Sequence, residues 1–233
     1  MSPPACLILT GMSRRTTTIG IGAFGNLVDP NEHMKQTYNR IRAQQLPLTE
    51  DAVFVLTYFL LLQRGKIKSL FKAVRQSKDV GGYRYFEFSP DIDLLEVRTD
   101  DSVVGYELKG VYKTKQGTKA VTYYEGLDQA LSYLVNPIHS PMSDRLPPQA
   151  SIFDFVYLVH PEQENTNEVE RDAFINLVHN FTPIGLIYVS HNRWKEVLSP
   201  RPNPFLNHDL KSLFLQNIDA FKTYTKLRLS LVQ

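Results

Sequence analysis

The chain has 233 residues, 42% of them hydrophobic, a formal net charge of +2 and one cysteine. That is enough apolar material for one large core, whereas so small a net charge says little about partners, and only its distribution along the chain can. Cys6 alone excludes a disulfide framework or a cysteine-ligated cluster, and the longest nearly unbroken apolar run, residues 52–62, is shorter than the about 20 residues of a membrane span.

The opening "MSPPACLILTG" lacks the basic n-region of a secretory signal, so a cytoplasmic protein with no membrane partner is expected. Within residues 1–46, "ACLILT" and "TTIGIG" fit short strands, and "NEHMKQTYNRIRAQQ" fits an exposed helix. Gly20, Gly22 and Gly25 of "GIGAFG" match the spacing of a dinucleotide-binding loop. However, Pro30 sits where the following helix should run, and the residues about 20 further on offer no acid for a ribose. A strand turn or an N-terminal arm is expected instead.

From residue 47 the signals sharpen. Thr49 is placed to cap a helix, Glu50 and Asp51 fall in its first turn, and Gly65 stops it; apolar residues all round predict burial. "YRYFEF" is β-rich, and residues 92–97 and 102–109 flank "RTDD" as the arms of a hairpin. Residues 121–135 read as a helix, with Leu127, Ala130, Leu131 and Leu134 on one face and Glu125, Gln129 and Tyr133 on another. The proline-rich "NPIHSPMSDRLPPQ" is a loop. "IFDFVYLV" and "IGLIYVS" are buried strands around an amphipathic helix at 167–181, and a closing helix over 209–229 aligns Leu210, Phe214, Ile218 and Phe221. This alternation predicts an α/β fold, a mixed sheet sandwiched between helices.

Charge is unevenly spread. Residues 64–84 hold seven bases against one acid, Asp79, and Lys109, Lys113, Lys115 and Lys119 follow; six acids and one base lie between Asp154 and Asp172. A basic side and an acidic side are expected, which suits either a polyanion partner or two solvated faces.

The hairpin poses the chemical question. A three-residue loop, 99–101, sets Arg98 opposite Ser102, Asp93 opposite Glu107 and Asp91 opposite Lys109, with all four charged groups on one face. Two like charges about 5 Å apart at an effective dielectric near 20 repel by about 3 kcal/mol. Lys109 offsets part of this. A divalent cation would offset the rest, and an all-oxygen donor set selects Mg²⁺ or Mn²⁺ over zinc. The alternative is a solvated salt-bridge face on an edge hairpin.

Pro90-Asp91, a hairpin-length gap and Glu107-Leu108-Lys109 resemble the signature of the PD-(D/E)XK nuclease superfamily, the fold of restriction endonucleases and archaeal Holliday-junction resolvases. "QALSY" supplies Gln129 and Tyr133, similar to the Gln-x-x-x-Tyr helix of RecB-type branches, and Glu50 stands where many members place a metal-supporting glutamate. The resemblance spans about residues 47–190. It implies a restriction-endonuclease-like core over 47–200, with residues 1–46 as an arm or accessory segment and 201–233 as a C-terminal helix on the core or on a dimer partner.

It further implies an Mg²⁺- or Mn²⁺-dependent deoxyribonuclease, an endonuclease in preference to an exonuclease. Asp91, Glu107, Lys109, Gln129 and Tyr133 would be its catalytic set. Asp91, Asp93, Glu107, Glu50 and the Leu108 carbonyl would be its metal set, and Lys113, Lys115 and Lys119 its DNA contacts. Asp91 follows the proline and is favoured as the hairpin aspartate, while Asp93 has the more usual distance to Glu107. A homodimer is expected if both strands are cut. A catalytically silent DNA-binding module of the same fold is the alternative.

Overall fold

A computed structural model describes residues 30–76, 87–114, 117–119, 121–135, 150–162, 167–218 and 228–230. Its helices are α1 (Pro30–Gln44), α2 (Glu50–Gln63), α3 (Leu127–Leu134), α4 (Glu168–Phe181) and α5 (His208–Gln216). The strands are β1 (Ile67–Gln76), β2 (Glu87–Arg98), β3 (Val103–Leu108), β4 (Tyr112–Thr114), β5 (Gly117–Lys119), β6 (Phe155–Pro161), β7 (Gly185–Val189), β8 (Trp194–Leu198) and β9 (Arg228–Ser230).

Every residue of β3 and β7 is buried, as expected of strands covered on both faces. They lie inside a seven-stranded mixed sheet of order β8-β7-β6-β3-β2-β1-β9, in which β3, β6 and β7 run parallel and the other neighbours pair antiparallel. One face packs Val103, Val156, Leu158 and Leu186 against Ala130, Phe174, Val178, Leu210 and Phe214 of α3, α4 and α5. The other packs Val104, Tyr106, Val159 and Ile187 against α1 and α2. The fold is therefore α/β, with helices on both sides of the sheet. Among the described residues no helix is long and apolar enough to cross a membrane.

The hairpin register follows the expectation. Leu94 pairs with Tyr106 and Val97 with Val103, and the Arg98 amide donates to the Ser102 carbonyl at 2.9 Å. Asp101 takes a left-handed φ of 62°, as the last position of a three-residue hairpin loop requires, and the Asp100 carboxylate accepts the Ser102 amide at 2.9 Å. α2 also forms as read: Thr49 accepts the Ala52 amide at 3.4 Å, and Gly65, at φ 67°, ends the helix.

Other elements differ. α1 is a helix but is not exposed all round, because Met34, Tyr38 and Ile41 bury one stripe in the α2 core. Half of the basic tract is strand β1, where Lys68 and Lys72 pair with Asp101 (2.7 Å) and Asp51 (3.3 Å). On the acidic side, Asp154 is half-buried, accepting the Val103 amide and pairing with Lys211 at 2.7 Å.

The helix expected over 121–135 starts only at Leu127, because Gly126 sits at φ 82°, outside helical space. Its buried face carries Ala130, Tyr133 and Leu134, while Leu131 is exposed. The closing helix ends at the Asn217 cap instead of running to 229, and residues 228–230 form edge strand β9 on β1. The hairpin β4–β5 and strand β8 were not expected. "ACLILT", "TTIGIG", "GIGAFG", the proline-rich loop, Phe221 and Lys115 lie outside the described residues.

Candidate active site

The β2–β3 ladder closes at Leu94–Tyr106, one step before Asp93 and Glu107. Beyond it a side chain replaces the backbone partner: the Asp93 carboxylate accepts the Leu108 amide at 2.9 Å. β3 meanwhile continues along β6, with the Lys109 amide donating to Val159 at 2.9 Å. The sheet thus opens between β2 and β3 where the charged residues lie.

Glu107 is 1% exposed. Its Oε2 is hydrogen-bonded to the Tyr133 hydroxyl, and its Oε1 faces the Lys109 ammonium at 2.5 Å. The same ammonium donates to Gln129 Oε1 at 2.6 Å. Gln129 and Tyr133, one turn apart on α3, therefore hold the two groups of a buried ion pair. The Tyr133 oxygen also lies 2.8 Å from the Asp91 carbonyl and 3.3 Å from the Asp93 amide. Its one proton can go to the carboxylate or to the carbonyl, and its lone pairs take the amide. Gly105 makes this reach possible, since a Cβ there would sit 3.2 Å from Phe153 and 3.3 Å from the Tyr133 ring.

Glu50 is delivered by a second close approach. A Cβ at Gly110 would lie 2.0 Å from the Glu50 nitrogen, and the Val111 amide donates to Leu48 at 2.9 Å, so the end of β3 abuts the start of α2. Glu50 remains exposed at the margin of the cluster.

Electrostatics follow from crowding. Burial, then the nearby Glu107, pushes the Asp93 carboxyl well up, against the Leu108 amide, which lowers it. Glu50 is raised by the protein packed around it, with Lys109 opposing and Glu107 adding. Burial alone would lower Lys109, but Glu107, Asp93 and Glu50 together raise it, so the ammonium stays charged. The Tyr133 hydroxyl is pushed well up by burial and then by the two acids, and stays protonated.

Of the expected site residues, Asp93, Glu107, Lys109, Gln129 and Tyr133 come together, with Glu50 at the rim. Asp91 differs from the expectation: its carbonyl meets Tyr133, but its side chain is exposed, and the aspartate whose carboxylate joins the cluster is Asp93. The ladder opens before Asp91 reaches Lys109. Lys113 and Lys119 lie on β4 and β5, which follow directly from β3. Two contributors escaped sequence reading, Gly126 and His160. A glycine inside a helix-like run, and a histidine ending an apolar strand, were the available signals.

The donors fit a hard divalent cation in kind: two neighbouring carboxylates, Asp93 and Glu107, whose mutual repulsion helps push the Asp93 carboxyl up. Among the described residues, no group of three or more His, Cys, Asp or Glu side chains is close enough to hold a metal. Such an ion would therefore rest on Asp93 and Glu107 with backbone and solvent oxygens, and Glu107 would exchange its ammonium contact for it. In comparisons with known proteins, no family model matches the chain, and no significant match was found to a curated protein or to a solved structure.

Proposed function

We propose that this chain is a metal-dependent deoxyribonuclease, an endonuclease in preference to an exonuclease, with its reaction centre at Asp93, Glu107 and Lys109. The observation that supports it is convergence. Two carboxylates and an ammonium meet where the hairpin ladder opens, Glu107 and Lys109 at the positions of the PD-(D/E)XK resemblance and Asp93 two residues beyond its Pro-Asp pair, with Gln129 and Tyr133 of the following helix hydrogen-bonded into the same cluster. Burying surplus charge is costly, and such clusters concentrate where chemistry is done.

Asp93, Glu107 and the Leu108 carbonyl would hold Mg²⁺ or Mn²⁺, which when bound polarises a phosphate and lowers the pKa of a bound water. Lys109 then stabilises negative charge developing on the phosphoryl oxygens. Gln129 aims the ammonium, Tyr133 aligns Glu107 with the end of β2, and Glu50 acts from the rim. Lys113, Lys115 and Lys119 contact backbone phosphates, which makes binding salt-dependent. A two-fold dimer would cut both strands, and light scattering measures it.

The test is cleavage of linear duplex, single-stranded, flap and four-way-junction DNA with Mg²⁺ or Mn²⁺. The wild type cuts at least one of them, and folded Glu107→Ala and Lys109→Ala variants lose activity by on the order of 10²–10³-fold. Full activity in Glu107→Ala refutes the assignment. A catalytically silent DNA-binding module is the second reading, favoured by the engagement of both Glu107 oxygens with Lys109 and Tyr133. It predicts a gel shift at low salt and intact DNA under every metal condition.

A further inference from the structure

His160 ends β6 outside the carboxylate cluster and is 1% exposed, its ring stacked on Phe174 at 6.2 Å between centroids. Its Nε2 lies 2.8 Å from the Glu125 carbonyl oxygen. A carbonyl only accepts, so this nitrogen carries the proton, and Nδ1 is a buried lone pair without a hydrogen-bond partner among the described residues. The hydrogen bond that fixes the ring is therefore the one from Nε2 to the Glu125 carbonyl.

Glu125 belongs to the turn at residues 123–126, and its carboxylate is also bonded by the Tyr112 hydroxyl. The turn ends at Gly126 in left-handed conformation. A Cβ at that position would lie 2.5 Å from Cε and 2.9 Å from Cγ of Lys109, so the glycine backbone rests directly on the lysine stem. The Gly126 carbonyl then accepts the Ala130 amide at 2.9 Å and launches α3, the helix that carries Gln129 and Tyr133. One chain of contacts runs from the imidazole through the turn to both sides of the ammonium.

We infer that His160 is a positioning residue: by donating Nε2–H to the Glu125 carbonyl it seats the 123–126 turn on the Lys109 stem and fixes the ammonium between Glu107 and Gln129. Its consequence for cleavage rests on the nuclease reading; the placement of Lys109 does not.

The experiment is acetic anhydride labelling of the full chain, with the modification of Lys109 read against exposed Lys35 and Lys195 by peptide mass spectrometry. Lys109 labels slowly in the wild type. His160→Phe, which keeps a ring against Phe174 but has no donor, raises Lys109 labelling several-fold and leaves Lys35 and Lys195 unchanged. His160→Gln, whose amide can donate, returns Lys109 towards wild-type protection. Equal Lys109 labelling in folded wild type and His160→Phe overturns the inference, as does equal labelling of the Phe and Gln variants. Should His160→Phe not fold, Gly126→Ala reads the other end of the contact, and unchanged Lys109 labelling there also overturns it. With DNA and Mg²⁺, His160→Phe lowers kcat by on the order of 10²-fold with KM unchanged, the effect of a misplaced catalytic group, and His160→Gln recovers most of it. If no protein including the wild type cleaves DNA, the nuclease reading fails, while the labelling still decides the role of His160.

Discussion

The same trio, a buried carboxylate, a tyrosine and a cation, gathers near each end of the β2–β3 hairpin, with α3 supplying the tyrosine at the open end. Near the turn, on the side facing α1 and α2, Glu96 accepts from the Tyr106 hydroxyl at 2.6 Å and from Arg98 Nε at 3.2 Å, and the Tyr106 ring stacks on Tyr157 at 5.3 Å. At the open end, on the opposite face, Glu107 takes Tyr133 and Lys109. The first trio balances one acid with one base. The second adds Asp93 and, at its rim, Glu50, so acids outnumber bases and Asp93 is pushed well up. Residue type does not separate the two ends; stoichiometry does. A balanced buried pair is a clamp, whereas a surplus of carboxylates is a standing cost that a bound cation or a reaction can relieve.

The sharpest test of this contrast exchanges the two glutamates' fates. On the nuclease reading, Glu107→Gln lowers cleavage by on the order of 10²-fold or more with little loss of stability, since the amide still faces Tyr133 and Lys109 keeps Gln129 and the neighbouring Asp93. Glu96→Ala strands Tyr106 and Arg98, lowers stability by about 3 kcal/mol in urea unfolding, and spares the rate of the folded fraction. A Glu96→Ala protein that folds normally but has lost cleavage would erase the distinction.

Acid stability probes the site's supports next. His160 is buried and neutral, its pKa lowered to about 4 chiefly by burial. The unfolded chain takes up this proton near the ordinary imidazole value of about 6.5, so the stabilisation is full above that pH and is lost as pH falls through 4, about 3 kcal/mol in all. His160→Gln flattens that slope in urea midpoints measured between pH 7 and pH 4.

Asp93→Asn works in the opposite direction. The wild-type carboxyl is raised on folding, so its contribution to stability is present below the unfolded value and is lost as pH rises through the folded one. The asparagine variant, which still accepts the Leu108 amide, melts higher than wild type at pH 7, and its advantage disappears in acid. Equal melting temperatures at pH 7 would show that the surplus charge costs nothing. The smallest effect is Thr49→Ala, about 0.5–1 kcal/mol by thermal melting, since only the cap of α2 is lost.

Much of the candidate site was legible because local rules set it. Loop length determined hairpin register, register placed Asp93 opposite Glu107, and helical spacing put Gln129 and Tyr133 on adjacent turns. Sequence could not choose between Asp91 and Asp93, because the Pro-Asp pair is a local feature, while the opening of the ladder that brings the Asp93 carboxylate to Leu108 is a property of how β3 leaves β2 for β6. Strand β1 was hidden by its lysines, which pair with acids distant in the chain. The early start read for α3 came from an apolar period that runs on through a turn.

By itself the sequence determined the α/β alternation, the caps of α2, the hairpin register and the crowding of acids around one lysine, because each depends on neighbours within a few residues or across one short loop. Only the tertiary structure decided which aspartate joins Glu107, that Tyr133 faces inward, that His160 meets the Glu125 carbonyl and that Gly126 packs on the Lys109 stem. Those contacts join residues 26–42 positions apart for Tyr133, and 35 for His160 and Glu125. Their geometry is set by sheet order and close backbone approach, which no local pattern encodes.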